Sequence, residues 1–486
     1  MLVGYMKTVL IAPAAVSRDT GSDDFLTTRH MHPLGLLLLA TYAKKCGHEP
    51  TIIDQSAFRL TNEGVIEKVK KIDPDVVGIG VLSKSIDNAK IIAANLKAWN
   101  PNLKIVFGNY LATFSARQML EHYPWLDACV RGEGEVTFKE LLDAWEKGRP
   151  LEEVEGVSFK ANHRIKENAD RKLIMDLDTL PLPDRSMLPD MYKNEVPGIQ
   201  ASGYKTTTIF FSRGCPYACT FCACRMFTRG TYRVRSVDAF VEELCEIASM
   251  GTKNVVLVDD NFTLRRKLVM ELCERIQKEK LDLFLSTEGR VNQSDYSMLR
   301  HMKLAGFSTL FFGFESGVQR ILDYYNKKIT PDMSRVAVKH ARKAGIDAIV
   351  GTFIVGAPDE TYEEVNQTIK FIKSIDVDFP QLLLARALPG TPIYADLARR
   401  NILDDNKYWE AGVDIIDLPG SIMKRKILKR MVNERYMKIF ARPTYLARAF
   451  YRNFASRFRR GIVNQYLNPN EFRRLRTLFK GALDVF

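Results

Sequence analysis

The chain has 486 residues, enough for two to four domains, and 46% of them are apolar, as in proteins with ordinary hydrophobic cores. No run of 18 apolar residues occurs, so no membrane-spanning helix is predicted. Eight cysteines are too few for a disulfide framework in so long a chain, and no secretory signal is recognised, so we expect a cytoplasmic protein. The net charge of +13 is confined to residues 421–486, which hold 17 Lys and Arg against three Asp and Glu.

Residues 1–150 are predicted to form a doubly wound parallel sheet. Short apolar strands alternate with amphipathic helices, a pattern typical of a parallel sheet with helices on both faces. The predicted strands are Thr8–Ala12, Thr51–Ile53, Val76–Val81, Lys104–Phe107 and Ala128–Val130. The predicted helices are Gly35–Lys45, Thr61–Lys71, Ile86–Trp99, Ser115–His122 and Phe138–Lys147.

Several loops at the carboxyl ends of these strands contain glycine and small polar residues. Ligands of such sheets bind at these ends, and glycine lets a ligand approach the backbone closely. The same residues also occur in ordinary turns, so the pattern alone does not distinguish a ligand site from a turn. The candidate residues are Ser83, Gly108, Asn109, Tyr110, Gly132 and Glu133.

Residues 151–200 are predicted to be a linker, because the segment 180–189 contains three prolines. Residues 201–400 repeat the strand–helix alternation six times, which predicts a partial (β/α)6 barrel with its site at the strand carboxyl ends. Residues 401–486 are predicted to be helical with a basic tail. The barrel strands are predicted at Thr206–Ser212, Asn254–Asp260, Phe284–Glu288, Thr309–Glu315, Ile346–Gly356 and Gln381–Ala387.

Three cysteines follow the first barrel strand in a C-x3-C-x-Φ-C motif, where Φ is the aromatic Phe221. Cys215, Cys219 and Cys222 can ligate three irons of a [4Fe–4S] cube and leave the fourth iron open to a small molecule. A structural zinc site needs four ligands, usually as two separated pairs. Cys224 lies too close to the motif to supply the fourth, and we interpret it as a non-ligand.

Together with further motifs, the triad resembles the radical S-adenosylmethionine (SAM) enzymes that carry an N-terminal cobalamin-binding, Rossmann-like domain. This branch includes lipid and hopanoid methylases and the anaerobic magnesium-protoporphyrin cyclase. The resemblance covers nearly the whole chain. Its other marks are Pro33–Leu36, Val130–Glu135, Leu180–Arg185, Arg213–Pro216, Val258–Thr263, Gly313–Gly317 and Leu388–Pro392.

The resemblance implies that the triad holds the cluster and that the open iron binds SAM. Arg290 suits the SAM carboxylate, because a guanidinium binds a carboxylate through two parallel hydrogen bonds. Reductive cleavage of SAM by an electron from a reductase, ferredoxin or flavodoxin would give methionine and a 5′-deoxyadenosyl radical that takes a hydrogen atom from an unactivated carbon. The implied SAM-binding residues are Phe221, Asp260, Arg290, Glu315, Ser316 and Gly356.

The resemblance also implies cobalamin at the loop residues named above, as the source of a transferred methyl group. The chain lacks the Asp-x-His-x-x-Gly motif whose histidine ligates cobalt in many cobalamin proteins. In place of the family's Gly-Gly-Pro-His it has Gly108-Asn109-Tyr110-Leu111, with a bulky side chain where close approach is expected. If cobalamin is absent, radical ring closure or carbon–carbon coupling replaces methyl transfer.

The basic tail contains an apolar stripe with four-residue spacing and arginines between its members. Such helices lie in the interface of anionic membranes. We therefore expect a peripheral enzyme at the inner face of the membrane that acts on a lipid-like substrate. The alternatives are a helix packed on the barrel, or a nucleic-acid-binding tail on a non-catalytic iron–sulfur redox or sensor protein. The stripe is Leu446, Phe450, Phe454, Phe458 and Ile462, and the arginines are Arg448, Arg452, Arg457, Arg459 and Arg460.

Overall fold

The computed structural model describes residues 5–15, 32–162, 164–188, 205–403, 425–440 and 442–456. They form two large sheets, each rich in parallel strands, and a short antiparallel pair of strands, followed by two helices. This architecture confirms the predicted α/β fold, with a doubly wound domain before a partial barrel.

The first sheet has seven strands in the order β2-β1-β3-β4-β5-β6-β7, of which β1 to β5 are parallel. Its strands are β1 (Lys7–Ala12), β2 (Glu49–Asp54), β3 (Val76–Gly80), β4 (Lys104–Gly108), β5 (Ala128–Val130), β6 (Val157–Ala161) and β7 (Arg164–Glu167). The helices that follow β1 to β5 in turn are α1 (Leu34–Lys45), α2 (Asn62–Ile72), α3 (Ile86–Trp99), α4 (Asn109–His122) and α5 (Gly134–Glu146). The strand order reverses between β1 and β3, where doubly wound sheets bind ligands.

The first sheet extends past the predicted boundary at residue 150. β6 pairs with β5 in antiparallel register and β7 pairs with β6, so the first part of the predicted linker belongs to this sheet. Val157 and Phe159 are buried in the same core as Val130 and Leu141, which explains why the hairpin adds to the sheet. The prolines of the segment gave no indication of this hairpin.

The second sheet consists of six parallel strands in the order β8-β11-β12-β13-β14-β15. Because β8 and β15 are both edges, it forms the predicted open (β/α)6 barrel. Its strands are β8 (Thr206–Ile209), β11 (Asn254–Leu257), β12 (Phe284–Gly289), β13 (Phe307–Glu315), β14 (Ala348–Val355) and β15 (Phe379–Leu384). A separate antiparallel pair is formed by two short strands, β9 (Ser212–Arg213) and β10 (Arg233–Val234). Its helices are α6 (Cys224–Phe227), α7 (Val237–Ser249), α8 (Arg266–Glu279), α9 (Tyr296–Leu304), α10 (Gln319–Tyr324), α11 (Pro331–Ala344), α12 (Tyr362–Ser374) and α13 (Pro392–Arg399).

Local sequence explains where several barrel helices begin. Thr361 accepts a hydrogen bond from the backbone N–H of Glu364, whose carboxylate accepts one from the backbone of Thr361, which is a capping box. Ser236 and Asp295 cap α7 and α9 through their side chains. The barrel core is dominated by fully buried phenylalanines, among them Phe307 and Phe353.

Two C-terminal helices, α14 (Arg425–Phe440) and α15 (Pro443–Ala455), follow the barrel. α14 packs on α12 and on the edge strand β15, and it buries Leu428, Val432 and Ile439 in the barrel core. It therefore covers one open edge of the barrel. Within the described residues, no helix has both the length and the apolar composition that crossing a bilayer requires.

The structure pairs two basic residues of the tail with acidic residues of the barrel. Arg452 Nη1 lies 2.9 Å from Asp378 Oδ1, and Arg448 Nη1 lies 3.0 Å from Asp376 Oδ1. These acids lie just before β15, at the end of the barrel opposite the strand carboxyl ends, so α15 is held to the barrel through its arginines. Leu446 and Phe450 are exposed on α15. The side chain of Phe454 and all of residues 457–486 lie outside the described residues.

Candidate active site between the two domains

The cysteine loop is held at both ends by the antiparallel pair of β9 and β10. Each thiol of the predicted triad has at least one N–H group directed at it. The S–N distances are 3.8 Å from Cys215 Sγ to Asn261 Nδ2, 3.7 Å from Cys219 Sγ to Arg290 Nη1, and 3.4 Å from Cys222 Sγ to the backbone nitrogen of Cys224. Such donors stabilise negative charge on sulfur and tune the potential of a cluster.

The three thiols of the triad can each bond a different iron of a [4Fe–4S] cube. Among the residues that the structure describes, no three His, Cys, Asp or Glu side chains converge as the ligands of one metal ion do. A [4Fe–4S] cube has no such requirement, because each thiolate bonds a different iron. Burial raises the pKa of Cys222 to about 12, and a bound metal cation would favour its thiolate.

Arg290 supplies a buried cation next to the cysteine loop. The side chain follows β12, is 6% exposed and stacks on the Tyr217 ring, with Cζ 3.7 Å from the ring centroid. Its Nε and Nη2 are buried and have no hydrogen-bond partner. Unpaired buried N–H groups are costly, and an anionic ligand would satisfy both. The residues here therefore fit an anionic group such as the carboxylate of SAM.

Glu315 ends β13 with a backbone φ of +60° and is buried. Its Oε1 lies 2.5 Å from Lys327 Nζ, and this ammonium group lies 5.7 Å from the centroid of the Phe221 ring. The predicted residues Glu315 and Phe221 are thus brought together by a buried lysine that sequence analysis did not identify. One oxygen of the Glu315 carboxylate is paired with Lys327, and the other can accept a hydrogen bond from an amine or hydroxyl group of a ligand.

The segment Tyr324–Lys327, which begins at the end of α10, supports the middle of the cysteine loop. Thr220 donates from its backbone N–H to the Tyr325 carbonyl at 3.0 Å and from its hydroxyl to the Tyr324 carbonyl at 3.1 Å. Asn326 Nδ2 donates to the carbonyl of Ala218 at 2.8 Å. Nothing in the local sequence indicated this role, because the contacts join segments about 100 residues apart.

The two aspartates after β11 both hold the chain that leads into the cysteine loop. Asp259 is buried and accepts hydrogen bonds from the backbone N–H groups of Phe211 and Ser212. Burial raises the pKa of Asp259 to about 7. Asp260 accepts from the backbone N–H of Gly214 at 2.9 Å. The contact seen for Asp260 is therefore with the loop that carries the triad.

Ser316 and Gly356 lie at neighbouring strand ends and have protein partners. The Ser316 hydroxyl lies 2.9 Å from that of Thr368 and accepts a hydrogen bond from the backbone of Val318. Gly356 has a φ of +86°, and a Cβ there would lie 2.5 Å from Leu428 Cδ2 of α14. Glycine is thus required at position 356 by its backbone conformation and by the close approach of α14.

The loop after β5 connects the first sheet to the cysteine loop through buried ion pairs. Glu133 accepts hydrogen bonds from Arg213 Nη1 at 2.9 Å and Arg233 Nη1 at 2.8 Å, and Glu135 accepts from Arg213 Nη2 at 2.6 Å. Burial opposes the ionisation of Glu133, but its hydrogen bond from Arg233 and the charge of Arg213 lower its pKa overall. Because Arg213 and Arg233 belong to β9 and β10, Glu133 fixes both ends of the cysteine loop.

The other candidate cobalamin residues lie on the same carboxyl edge of the first sheet. α4 begins at Asn109, immediately after β4, and not at the predicted Ser115, where the helix is kinked. Asn109 has a φ of +80°, and its side chain accepts from the backbone N–H of Tyr110 at 2.7 Å. The Tyr110 ring stacks on Phe227, the last residue of α6. Gly132 donates its N–H to Thr113, and Ser83 lies in the partly exposed turn after β3.

Comparison with known proteins agrees with this arrangement. Residues 209–372 match the Radical SAM superfamily, and residues 27–142 match the B12 binding domain. An uncharacterized methyltransferase of Pyrococcus horikoshii is 35% identical over 94% of this chain and 97% of its own length. The anaerobic magnesium-protoporphyrin IX monomethyl ester cyclase of Rubrivivax gelatinosus is 28% identical over 86% of this chain and 75% of its own.

A solved structure shares the fold. The radical S-adenosylmethionine methyltransferase TsrM from Kitasatospora setae, determined with cobalamin and a [4Fe–4S] cluster bound, superposes with a TM-score of 0.66 at 17% identity. The match covers 82% of this chain and 75% of that protein. The family assignment supports an enzyme over the non-catalytic alternative. The chain belongs to the radical SAM enzymes that carry a B12-binding domain, and its cofactors are a [4Fe–4S] cluster, S-adenosylmethionine and cobalamin.

Proposed function

We propose that this protein is a cobalamin-dependent radical SAM methyltransferase that methylates an unactivated carbon of a large, lipid-like substrate. The observation that carries the proposal is the position of Arg290, a buried guanidinium with two unpaired N–H groups beside Cys219. A cation in this place gives an anionic ligand of the cluster a defined orientation.

Different residues would bind the cluster and orient SAM. Cys215, Cys219 and Cys222 would hold the cluster, and Arg290 would receive the SAM carboxylate. Glu315, whose carboxylate is fixed by Lys327, would accept a hydrogen bond from the amine or a ribose hydroxyl of SAM. When bound, the cluster and SAM supply a 5′-deoxyadenosyl radical, and cobalamin supplies a methyl group.

The remaining SAM candidates would act more indirectly. Asp260 would keep the cysteine loop in position through the N–H of Gly214, and Ser316 would shape the turn after β13. Gly356 would bring the backbone after β14 towards the adenine, with α14 packed behind it. The cobalamin would lie at the carboxyl edge of the first sheet, against Ser83, Gly108, Asn109 and the residues near Gly132.

The proposal of an apolar substrate rests on the tail and on the family resemblance. The last 30 residues hold seven Lys and Arg against two acids, which favours an anionic membrane surface. Arg448 and Arg452 are engaged by Asp376 and Asp378, so attraction to the membrane would fall on residues 457–486. We place the enzyme in the cytoplasm, peripheral to the membrane, with a reductase, ferredoxin or flavodoxin as electron donor.

Transfer of a labelled methyl group tests the proposal. The reconstituted, cobalamin-loaded protein is incubated anaerobically with reductant, a membrane lipid extract and SAM that carries a deuterated methyl group. The proposal predicts a lipid product heavier by one labelled methyl group. A product that has lost two hydrogens and gained no label would contradict methyl transfer and support the second candidate, radical ring closure or carbon–carbon coupling. The cyclase among the relatives favours that alternative.

A further inference from the structure

Three aromatic rings bridge the boundary between the two domains. Tyr110 and Phe114 of α4 come from the first domain, and Phe227 of α6 comes from the barrel. The Tyr110 and Phe227 rings have their centroids 4.5 Å apart at an angle of 26°, and Phe114 meets Phe227 edge-on at 6.4 Å. Stacked rings at this distance are in van der Waals contact, so no planar group fits between Tyr110 and Phe227 in this arrangement.

The stack lies where a ligand of the first sheet would face the iron–sulfur loop. Tyr110 follows the carboxyl end of β4, beside the edge at which doubly wound sheets bind ligands. Its stacking partner Phe227 ends α6, a helix that begins at Cys224, two residues after the last cysteine of the triad. A flat macrocycle held at this edge and presented to the cluster has to share the space that the ring occupies.

Phe114 also packs closely against the barrel at a second point, Gly390. Gly390 lies in the loop after β15, at the other edge of the open barrel, and has a φ of +85°. A Cβ at this position would lie 2.3 Å from Cδ2 of Phe114. The aromatic cluster thus contacts both α6, which follows the cysteine loop, and the loop after β15.

We propose that Tyr110 determines how tightly this chain binds cobalamin: stacked on Phe227, its ring occupies part of the space that the corrin needs, and it has to turn away before the cofactor binds. The inference rests on cobalamin as a cofactor of the proposed function and goes beyond it by naming a residue that opposes binding. Apparent affinity then falls with the fraction of molecules in which the ring is turned away.

Cobalamin titration of the anaerobically purified protein with its cluster in place tests the inference. Hydroxocobalamin is added to the wild type, Tyr110→Ala and Tyr110→Phe, and bound corrin is measured by its visible absorption after gel filtration. If the ring is turned away in about 10% of wild-type molecules, only those molecules can bind cobalamin, whereas every molecule of Tyr110→Ala can. We therefore expect Tyr110→Ala to bind at least about tenfold more tightly. Tyr110→Phe keeps the ring and should match the wild type.

A second variant approaches the stack from the other domain. Phe227→Leu removes the flat partner of Tyr110 but keeps an apolar side chain, and it should also tighten binding. Iron and sulfide content confirms that each variant retains its cluster. Equal affinity of the wild type and Tyr110→Ala, or weaker binding by both Tyr110→Ala and Phe227→Leu, would overturn the inference. Because the readout is binding, this outcome leaves the methyl-transfer test of the proposed function unaffected.

Discussion

Arg290 Nη1 lies 3.7 Å from Cys219 Sγ, while the same guanidinium stacks on the ring of Tyr217. One buried cation is thereby held against the cysteine loop by a side chain that lies between the first two cysteines of the motif. Its remaining N–H groups are oriented before any ligand binds. Preorganisation of this kind lowers the entropic cost of orienting a bound carboxylate.

Replacement of Arg290 should weaken SAM binding without loss of the cluster. Hydrogen bonds to a charged group contribute about 1.5–3 kcal/mol, so Arg290→Gln should raise the Kd for SAM about 10- to 100-fold. The SAM-induced change in the electron paramagnetic resonance spectrum of the reduced cluster reports binding. Arg266→Gln is the matched control, because Arg266 is a half-exposed arginine of the same barrel paired with Asp295. Equal effects of the two changes would contradict the assignment.

Cys224 should be dispensable for the cluster. The contact of Cys224 with Cys222 comes from its backbone N–H, which alanine retains. Cys224→Ala should therefore keep the absorption of a [4Fe–4S] cluster and about four irons per chain, whereas Cys222→Ala should lose both. Loss of iron in Cys224→Ala at an unchanged fold, as measured by circular dichroism, would make Cys224 a ligand.

Glu360 should make stability depend on pH. Its carboxylate accepts hydrogen bonds from the backbone of Gly356 and Ala357, and burial raises its pKa to about 7. The folded state therefore binds a proton that the unfolded state has released above its own pKa of about 4.3. The stabilisation is complete below that pH and is lost as pH rises towards 7, by about 1.4 kcal/mol per pH unit from this group.

Urea unfolding of the anaerobic protein at pH 5 and pH 7 measures this contribution. Glu360→Gln keeps an oxygen acceptor but cannot titrate, so its stability should fall less than that of the wild type between the two pH values. Asp259, with its raised pKa, contributes in the same direction in both proteins and so cancels in the difference. An identical pH dependence of the wild type and Glu360→Gln would contradict the predicted titration.

The membrane binding that we propose should depend on residues 457–486. A chain that ends at Ser456 keeps every described helix, including α15 with its ion pairs to Asp376 and Asp378. Flotation with vesicles of anionic and of neutral lipid compares it with the full chain. We expect the full chain to float only with anionic vesicles, and less at high salt. Flotation of the shortened chain to the same extent would place the membrane contact elsewhere.

Sequence patterns predicted the parallel strands well because most of them contain a short apolar run, and such runs are buried where the strands pair. They missed β6 and β7, since Val157 and Phe159 lie in a polar segment rich in charges and gain their partners only from β5. The start of α4 was predicted too late, at Ser115. The helix begins at Asn109 because the left-handed backbone of this residue turns the chain directly from strand into helix.

The cysteine triad was predictable because its ligands are close together in sequence. Lys327 and Asn326 were not, because they reach the site from the far end of α10. Glu133 shows the same limit: sequence analysis placed it at the cobalamin edge, and the structure pairs it with Arg213 and Arg233. Long-range charge pairing of this kind leaves no periodic signal in the chain.

The formation of 5′-deoxyadenosine tests the central claim, that the cysteine loop and Arg290 form a centre that cleaves SAM reductively. The anaerobically reconstituted protein is reduced in the presence of SAM, and the nucleoside is quantified by mass spectrometry. The account predicts 5′-deoxyadenosine from the wild type, none from Cys219→Ala and a strongly reduced yield from Arg290→Gln at full cluster content. No product from the wild type with a complete cluster, whichever reductant is used, or an undiminished yield from Arg290→Gln, would contradict it.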